Sequence, residues 1–476
     1  MNRLLRKLLS SNTEVLTPGQ RSTHTYVIGQ PGTGKSRAIE SWVMQDVLSG
    51  RGVGVIDPHG DLFNNLLARI SALPQVTDRV VILDPINPKY TVSFNPLESM
   101  RGGSGERVAH FLTDMIVKIW GLDTTSSPRM IWLLTNTFLA LSHLGLTLLD
   151  LPRFLLDSDY RNGLLPGLKH ESVRGYFEYE FPKSPGAIHQ WVTPALNKLG
   201  GLIFDPDIRL MIAGGSSFNF RNVIDRRLIL LVNLPKGIIG EGTSALMGAF
   251  IVAHLQKAAL SRASSRTREP FYLYLDEFQN YTTDNIKDIL SESRKYALSL
   301  ILAHQYLDQL SADMRSAVLN TAGTLVCFRV GYQDANTLVK EVFPSPDYLT
   351  APEKGIRIER LNNFPLVLFE DHRKPLGWDG QAQALTRLLQ REFWFRRRGV
   401  QTASRQRTLE VPDPVLTPET LSKMAELLDI SGLKYGRLKK DLQKELAARN
   451  AYSAAHIDRA HPILGQDEND HSIWGA

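Results

Sequence analysis

Three groups of residues in this sequence could do chemistry together. The first is Gly29-Gln30-Pro31-Gly32-Thr33-Gly34-Lys35-Ser36, a complete G-x-x-x-x-G-K-S phosphate-binding loop. Its glycines let backbone N–H groups turn inward on a polyphosphate, and the start of the following helix adds partial positive charge. Lys35 reaches the β- and γ-phosphates, and Ser36 offers a hydroxyl to Mg2+. Gly29, Gly32, Thr33, Gly34, Lys35, Ser36 and the adjoining Arg37 are therefore the candidate nucleotide-binding residues. The second group is Asp276-Glu277, two acids closing the apolar run Tyr272-Leu273-Tyr274-Leu275. Here Asp276 would share Mg2+ with Ser36, through water, and Glu277 would polarise the attacking water. Two acids favour hydrolysis over transfer to an organic acceptor, because the second can act as base towards water. The third is Gln305, behind Ala303-His304, which can link the γ-phosphate or the lytic water to moving parts of the fold. A chance glycine turn, an acidic strand end and a surface glutamine are each the bland alternative for one group, but not for all three at once.

Such residues need strands that end beside one another. His24–Ile28 reads as a strand before the loop, and Ile39, Val43 and Val47 give the residues after it helical spacing. Gly52–Ile56 ends at the polar turn Asp57-Pro58-His59-Gly60-Asp61, a helix is expected over Leu62–Ile70, and a third strand over Arg79–Leu83. From about Gly105 to Ala213 the periodicity is helical only. Strands resume at Arg227–Val232, Phe271–Leu275, Leu298–Leu302 and Thr324–Val330, with helices at Ser244–Ser261, Asp284–Tyr296 and Ala312–Asn320 between them. The expected class is α/β, with a mainly parallel, doubly wound sheet. The expected units are a basic amphipathic segment at 1–19, a sheet domain at 20–104 and 214–375, and an all-α insertion at 105–213. A basic, aromatic segment at 376–411 and a helical C-terminal region at 412–476 with an acidic tail follow.

Composition narrows the classes. The chain has 476 residues, 55 Lys and Arg against 49 Asp and Glu, and a net charge of +6, which permits a polyanionic partner without requiring one. A single cysteine, Cys327, excludes an internal disulfide framework and fits a reducing compartment. The N-terminus lacks the apolar core and cleavage site of a secretory signal. The uncharged stretch 130–149 is long enough to span a membrane, but polar residues from Thr135 to Thr147 interrupt it, so a buried helix is expected. Arg391-Glu392-Phe393-Trp394-Phe395-Arg396-Arg397-Arg398, with Arg405 and Arg407, could contact phosphates and stack on bases, or form a solvated helix face. Lys434, Lys439, Lys440 and Lys444 are expected on exposed helix faces, and Trp474 in the tail is a candidate docking residue.

The phosphate loop, Asp57–Asp61, Leu275-Asp276-Glu277-Phe278-Gln279, Ser293-Arg294-Lys295-Tyr296 and Ala303-His304-Gln305 together resemble the HerA/FtsK branch of RecA-type motors, above all the coupling-protein ATPases of conjugation and type IV secretion. The likeness covers roughly residues 20–375 and includes the all-α insertion. It implies a RecA-like P-loop ATPase that uses ATP and Mg2+, forms a ring (commonly a hexamer) with sites between subunits, and translocates DNA through the central channel. Arg294 lies seventeen residues after Glu277 and eleven before Gln305, where coupling proteins present an arginine to the neighbour's nucleotide. The resemblance thus makes Arg294 a catalytic arginine finger in trans, beside Lys35, Glu277 and Gln305; Arg329 is the second choice. A helix-surface Arg294 paired with Glu292 or Asp288 is the alternative. An effector or relaxase-type protein would bind through the C-terminal region. Coupling proteins usually begin with transmembrane helices, whereas the P-loop fold here opens at about residue 20. The expected location is therefore cytoplasmic, at most peripheral at the membrane. A competing expectation is an ATP-gated scaffold that organises a nucleic-acid effector without translocating it.

Overall fold

Seven of the continuous apolar runs lie side by side and parallel in the computed structural model, which describes residues 17–98, 105–122, 125–281, 284–361 and 364–448. The strands are β1 (Thr25–Ile28), β2 (Gly52–Asp57), β3 (Val80–Leu83), β4 (Tyr90–Thr91), β5 (Ile229–Asn233), β6 (Phe271–Leu275), β7 (Leu298–His304), β8 (Thr324–Cys327), β9 (Thr350–Leu361), β10 (Phe364–Pro375), β11 (Glu392–Arg397), β12 (Ala403–Arg407) and β13 (Arg437–Leu438). Nine of them form one sheet in the order β12-β11-β8-β1-β7-β6-β2-β5-β3. All are parallel except the edge hairpin β11–β12, which runs antiparallel against β8.

The runs are continuous because both faces are covered. Along β6, Phe271, Leu273 and Leu275 join one apolar cluster, and Tyr272 and Tyr274 join the other. The first face is covered by the helix Glu241–Leu260 and the insertion, whose Leu112, Phe138 and Phe154 belong to the same cluster as Leu273. The described residues between 105 and 212 form helices and turns only. The insertion therefore shares its core with the sheet. The opposite face is covered by the helices Lys35–Leu48 and Asp61–Ile70, and by Pro418–Tyr435, whose Leu427 is buried among them.

Four features differ from the sequence expectation. The sheet runs past residue 375, because the basic, aromatic segment is β11: Phe393 is fully buried, and Trp394 and Phe395 are buried on opposite faces. Its alternation is that of a strand, so the rings are packed inside and do not form a stacking platform or a solvated helix. The C-terminal region opens on one long helix, Pro418–Tyr435, that packs on the sheet domain, and the described residues 439–448 are helical as well, where only short helices were expected. Lys439, expected on an exposed face, is buried, donates to the Pro85 carbonyl at 2.8 Å and pairs with Asp207 at 2.6 Å. Residues 350–375 form a long antiparallel hairpin, β9–β10, that no apolar alternation had marked. Residues 1–16 and the acidic tail with Trp474 lie outside the described residues. No helix among the described residues is long and apolar enough to cross a membrane.

Candidate nucleotide site

The carboxyl ends of β1, β7, β6 and β2 are adjacent, and each delivers one part of the site. The phosphate loop leaves β1. Its Gly32 and Gly34 have φ of 72° and 106°, where a side chain is strained, and a Cβ on Gly34 would lie 3.3 Å from Cα of Arg391. Thr33 Oγ1 donates to the Gln30 carbonyl at 2.7 Å, and the Thr33 carbonyl accepts from Arg391 N–H at 2.8 Å. The Lys35 ammonium is folded back on the carbonyls of Gly29 and, at 3.2 Å, Gln30. Burial pulls its pKa below the usual lysine value, opposed by the nearby Glu277 and Asp276.

The acids leave β6. Ser36 Oγ donates to Asp276 Oδ2 at 3.4 Å, so the two proposed Mg2+ ligands already face each other. The Asp276 carboxyl is pushed up to about 7, first by burial, then by the neighbouring Asp57 and Glu277. Such crowding of acids around one buried lysine is what a bound cation would relieve. Glu277 adopts φ of 47°, and its carboxylate accepts from Gln305 Nε2 at 2.8 Å on one oxygen and from Gln279 Nε2 at 2.7 Å on the other. Gln305 leaves β7, so a direct hydrogen bond ties the candidate base to the strand that lies between the phosphate-loop strand β1 and the acid-bearing strand β6.

Asp57 leaves β2 and spends its carboxylate on the backbone N–H groups of His59 and Phe63, both at 2.9 Å, which holds the start of the helix Asp61–Ile70. Lys35, Ser36, Asp57, Asp276, Glu277 and Gln305 open on one cavity of about 420 Å³. Its wall is acidic, with Glu40, Asp57, Asp61, Asp276 and Glu277 against Lys35 and Arg37. The Arg37 guanidinium lies at the rim, held by Glu40 at 2.7 Å and by Asp413.

The structure does not bring Arg294 into this cavity. It is exposed in the turn Ser293–Tyr296 that precedes β7, at the opposite end of a seven-residue strand. That places it roughly 20 Å from its own chain's phosphate loop. Among the described residues it has no carboxylate partner, so the pairing with Glu292 is not made. Arg329 lies beside the loop of its own chain, its carbonyl accepting from Gln30 N–H at 2.8 Å. Sequence reasoning gave no role in this site to Gln279, Gln390 or Arg391. Gln279 sits two residues past Glu277 and could have been found by its position, but Gln390 and Arg391 reach the site only because β11 joins the sheet.

A phosphate loop after one parallel strand, with paired acids after the next but one, defines a RecA-like P-loop fold. Among solved structures, the unbound bacterial conjugative coupling protein TrwBdeltaN70 aligns over 85% of this chain and 89% of its own at 16% identity and a TM-score of 0.60. TrwB in complex with ADP and Mg2+ aligns over 84% and 89% at 15% identity, TM-score 0.55. VirB4 of Thermoanaerobacter pseudethanolicus aligns over 82% and 90% at 14% identity, TM-score 0.52. The family model described as the TraM recognition site of TraD and TraG matches residues 270–340. Comparison with curated proteins finds no match.

Proposed function

We propose that the chain is an ATP-hydrolysing motor of the coupling-protein type that moves DNA. The observation that carries this reading is the cavity in which Lys35, Ser36, Asp276, Glu277 and Gln305 converge on a fold similar to TrwB. TrwB has been solved with ADP and Mg2+, which supports the same ligands here. Ser36 and, through water, Asp276 would hold Mg2+, which would neutralise negative charge on the nucleotide's phosphates. Lys35 leaves the Gly29 and Gln30 carbonyls and takes phosphate oxygens in their place. Glu277, its carboxylate aimed by Gln279 and Gln305, accepts the proton of the attacking water. Loss of the γ-phosphate alters the Glu277–Gln305 hydrogen bond and is passed along β7.

Towards the γ-phosphate the cavity offers, among the described residues, Lys35 alone as a cation without a carboxylate salt bridge, which supports a second cation from a neighbour. Arg294, exposed at the far end of β7, is the proposed finger in trans within a ring, commonly a hexamer in this class. The match of residues 270–340 to a TraM recognition site supports a relaxosome-type protein partner.

ATPase rates with and without single- and double-stranded DNA, in wild type, Lys35→Ala and Arg294→Ala, test the reading. Many-fold stimulation by DNA, lost in both variants, is expected. Normal hydrolysis by assembled Arg294→Ala overturns the trans finger, and mixing Arg294→Ala with Glu277→Gln subunits shows whether sites are shared. Ring assembly on ATP without DNA stimulation, persisting in Glu277→Gln, favours the scaffold.

A further inference from the structure

We propose that Glu106, His143 and His170, in the helical insertion, form a binding site for a divalent transition-metal ion, Zn2+ foremost. The helices Gly105–Ile119 and Pro128–His143 pack antiparallel, with Thr135 Oγ1 donating to Thr113 Oγ1 at 3.3 Å, so the first turn of one lies beside the last residue of the other. Glu106 sits in that first turn and His143 is that last residue. His170, the residue before the short helix Glu171–Gly175, completes the group. One ligand atom from each of the three lies within 4.8 Å of the others.

Glu106 Oε1 and His170 Nε2 are 3.3 Å apart. Ligand atoms about 2.0 Å from a tetrahedral Zn2+ are themselves separated by about 3.3 Å, so this pair already spans one edge of the polyhedron. A histidine–carboxylate hydrogen bond alone would account for that pair. It leaves out His143, whose ring meets His170 edge-on with centroids 5.4 Å apart and whose ring nitrogens have no hydrogen-bond partner among the described residues. Two imidazoles and one carboxylate suit Zn2+ and discriminate against Mg2+, which prefers oxygen ligands. Metal binding through Nε2 puts the ring proton of His170 on Nδ1, which gives up only the 3.4 Å contact accepted from Val173 N–H. Glu106 is 53% exposed and His170 25% at the side chain, so water reaches the fourth position. The filled site would tie three helix ends together; none of its three residues lines the nucleotide cavity, and it does not depend on the proposed ATPase activity.

Chelator-stripped full-length protein is titrated with Zn2+ by calorimetry and with Co2+ by visible absorption, in excess Mg2+. Saturable binding with a tetrahedral Co2+ band is expected, weakened about tenfold or more in His143→Ala and in His170→Ala. Glu106→Gln, which keeps the side-chain shape, weakens it too, whereas His189→Ala, at an exposed histidine elsewhere in the insertion, binds as wild type. Thermal melts of the stripped variants that match wild type show that folding is retained. No saturable binding at about 100 μM Zn2+, or titrations of His143→Ala, His170→Ala and Glu106→Gln that match wild type, overturns the site.

Discussion

Glu277 is held from both sides by amide donors, and that arrangement separates binding from hydrolysis. Glu277→Gln removes the base while leaving Lys35 and the loop intact, so ATP binding is retained and hydrolysis falls about 100-fold or more, measured by nucleotide-binding fluorescence against phosphate release. Gln305→Ala removes one of the two donors; the expected outcome is a smaller loss of hydrolysis together with loss of its DNA dependence. Gly34→Ala tests the loop itself. At φ of 106° and 3.3 Å from Arg391, the added methyl is strained in two ways, costing about 1–3 kcal/mol and abolishing nucleotide binding in a filter assay. Asp57, Asp276 and Glu277 crowd the same cavity as Lys35, so Lys35→Ala removes the chain's own charge compensation as well as the phosphate ligand.

At the scale of elements, the edge hairpin β11–β12 does two jobs. Its first residues cover the phosphate loop, through Arg391 N–H on the Thr33 carbonyl, and its aromatic residues extend both apolar clusters. Trp394 meets Phe343 edge-on with centroids 4.9 Å apart. Trp394→Ala is therefore expected to cost about 3 kcal/mol in chemical denaturation and to leave DNA affinity per folded molecule unchanged. A selective loss of DNA binding without loss of stability would show that the ring is a contact surface instead. Beyond the hairpin, Arg69 donates to the Pro412 carbonyl and Arg37 pairs with Asp413, so the segment leading to the last helix is fastened beside the site.

At the scale of the molecule, sheet, insertion and C-terminal helix form a continuous body. His254, on the helix Glu241–Leu260, stacks on Phe220 with centroids 5.3 Å apart and donates to the Pro96 carbonyl at 3.3 Å when Nε2 carries the proton. Burial, helped by Lys257, pulls its pKa to about 4 from the ordinary 6.5. The unfolded chain binds this proton at 6.5 and the native chain only near 4, so stability present above 6.5 is lost as pH falls between them. The loss amounts to about 3 kcal/mol at most. His254→Gln, which can keep the hydrogen bond, should flatten the acid side of a melting-temperature profile. The C-terminal helix belongs to the same body. Ser431 Oγ accepts from Ile82 N–H at 3.0 Å, and β13 pairs with β4. Truncation after residue 416 bares the apolar surface around Leu427 and should lower the melting temperature and promote aggregation.

The sequence by itself determined the seven parallel strands of the sheet, the phosphate loop and the acids after β6. Each depends on local patterns: a continuous apolar run, glycines where φ must be positive, two carboxylates at a strand end. Strand ends shifted by a residue or a few, as where Thr324–Val330 stops at Cys327. Only the tertiary structure decided that Phe393, Trp394 and Phe395 are interior, that Lys439 is buried against Asp207, that Gln279 and Gln305 share the Glu277 carboxylate, and that Arg294 stands at the far end of β7 from its own site. The reason is that an alternating basic and aromatic run reads alike on a solvated edge and on a sheet covered on both faces. Pairings over hundreds of residues, such as Asp207 with Lys439 or Thr33 with Arg391, arise only once the strands have found their order.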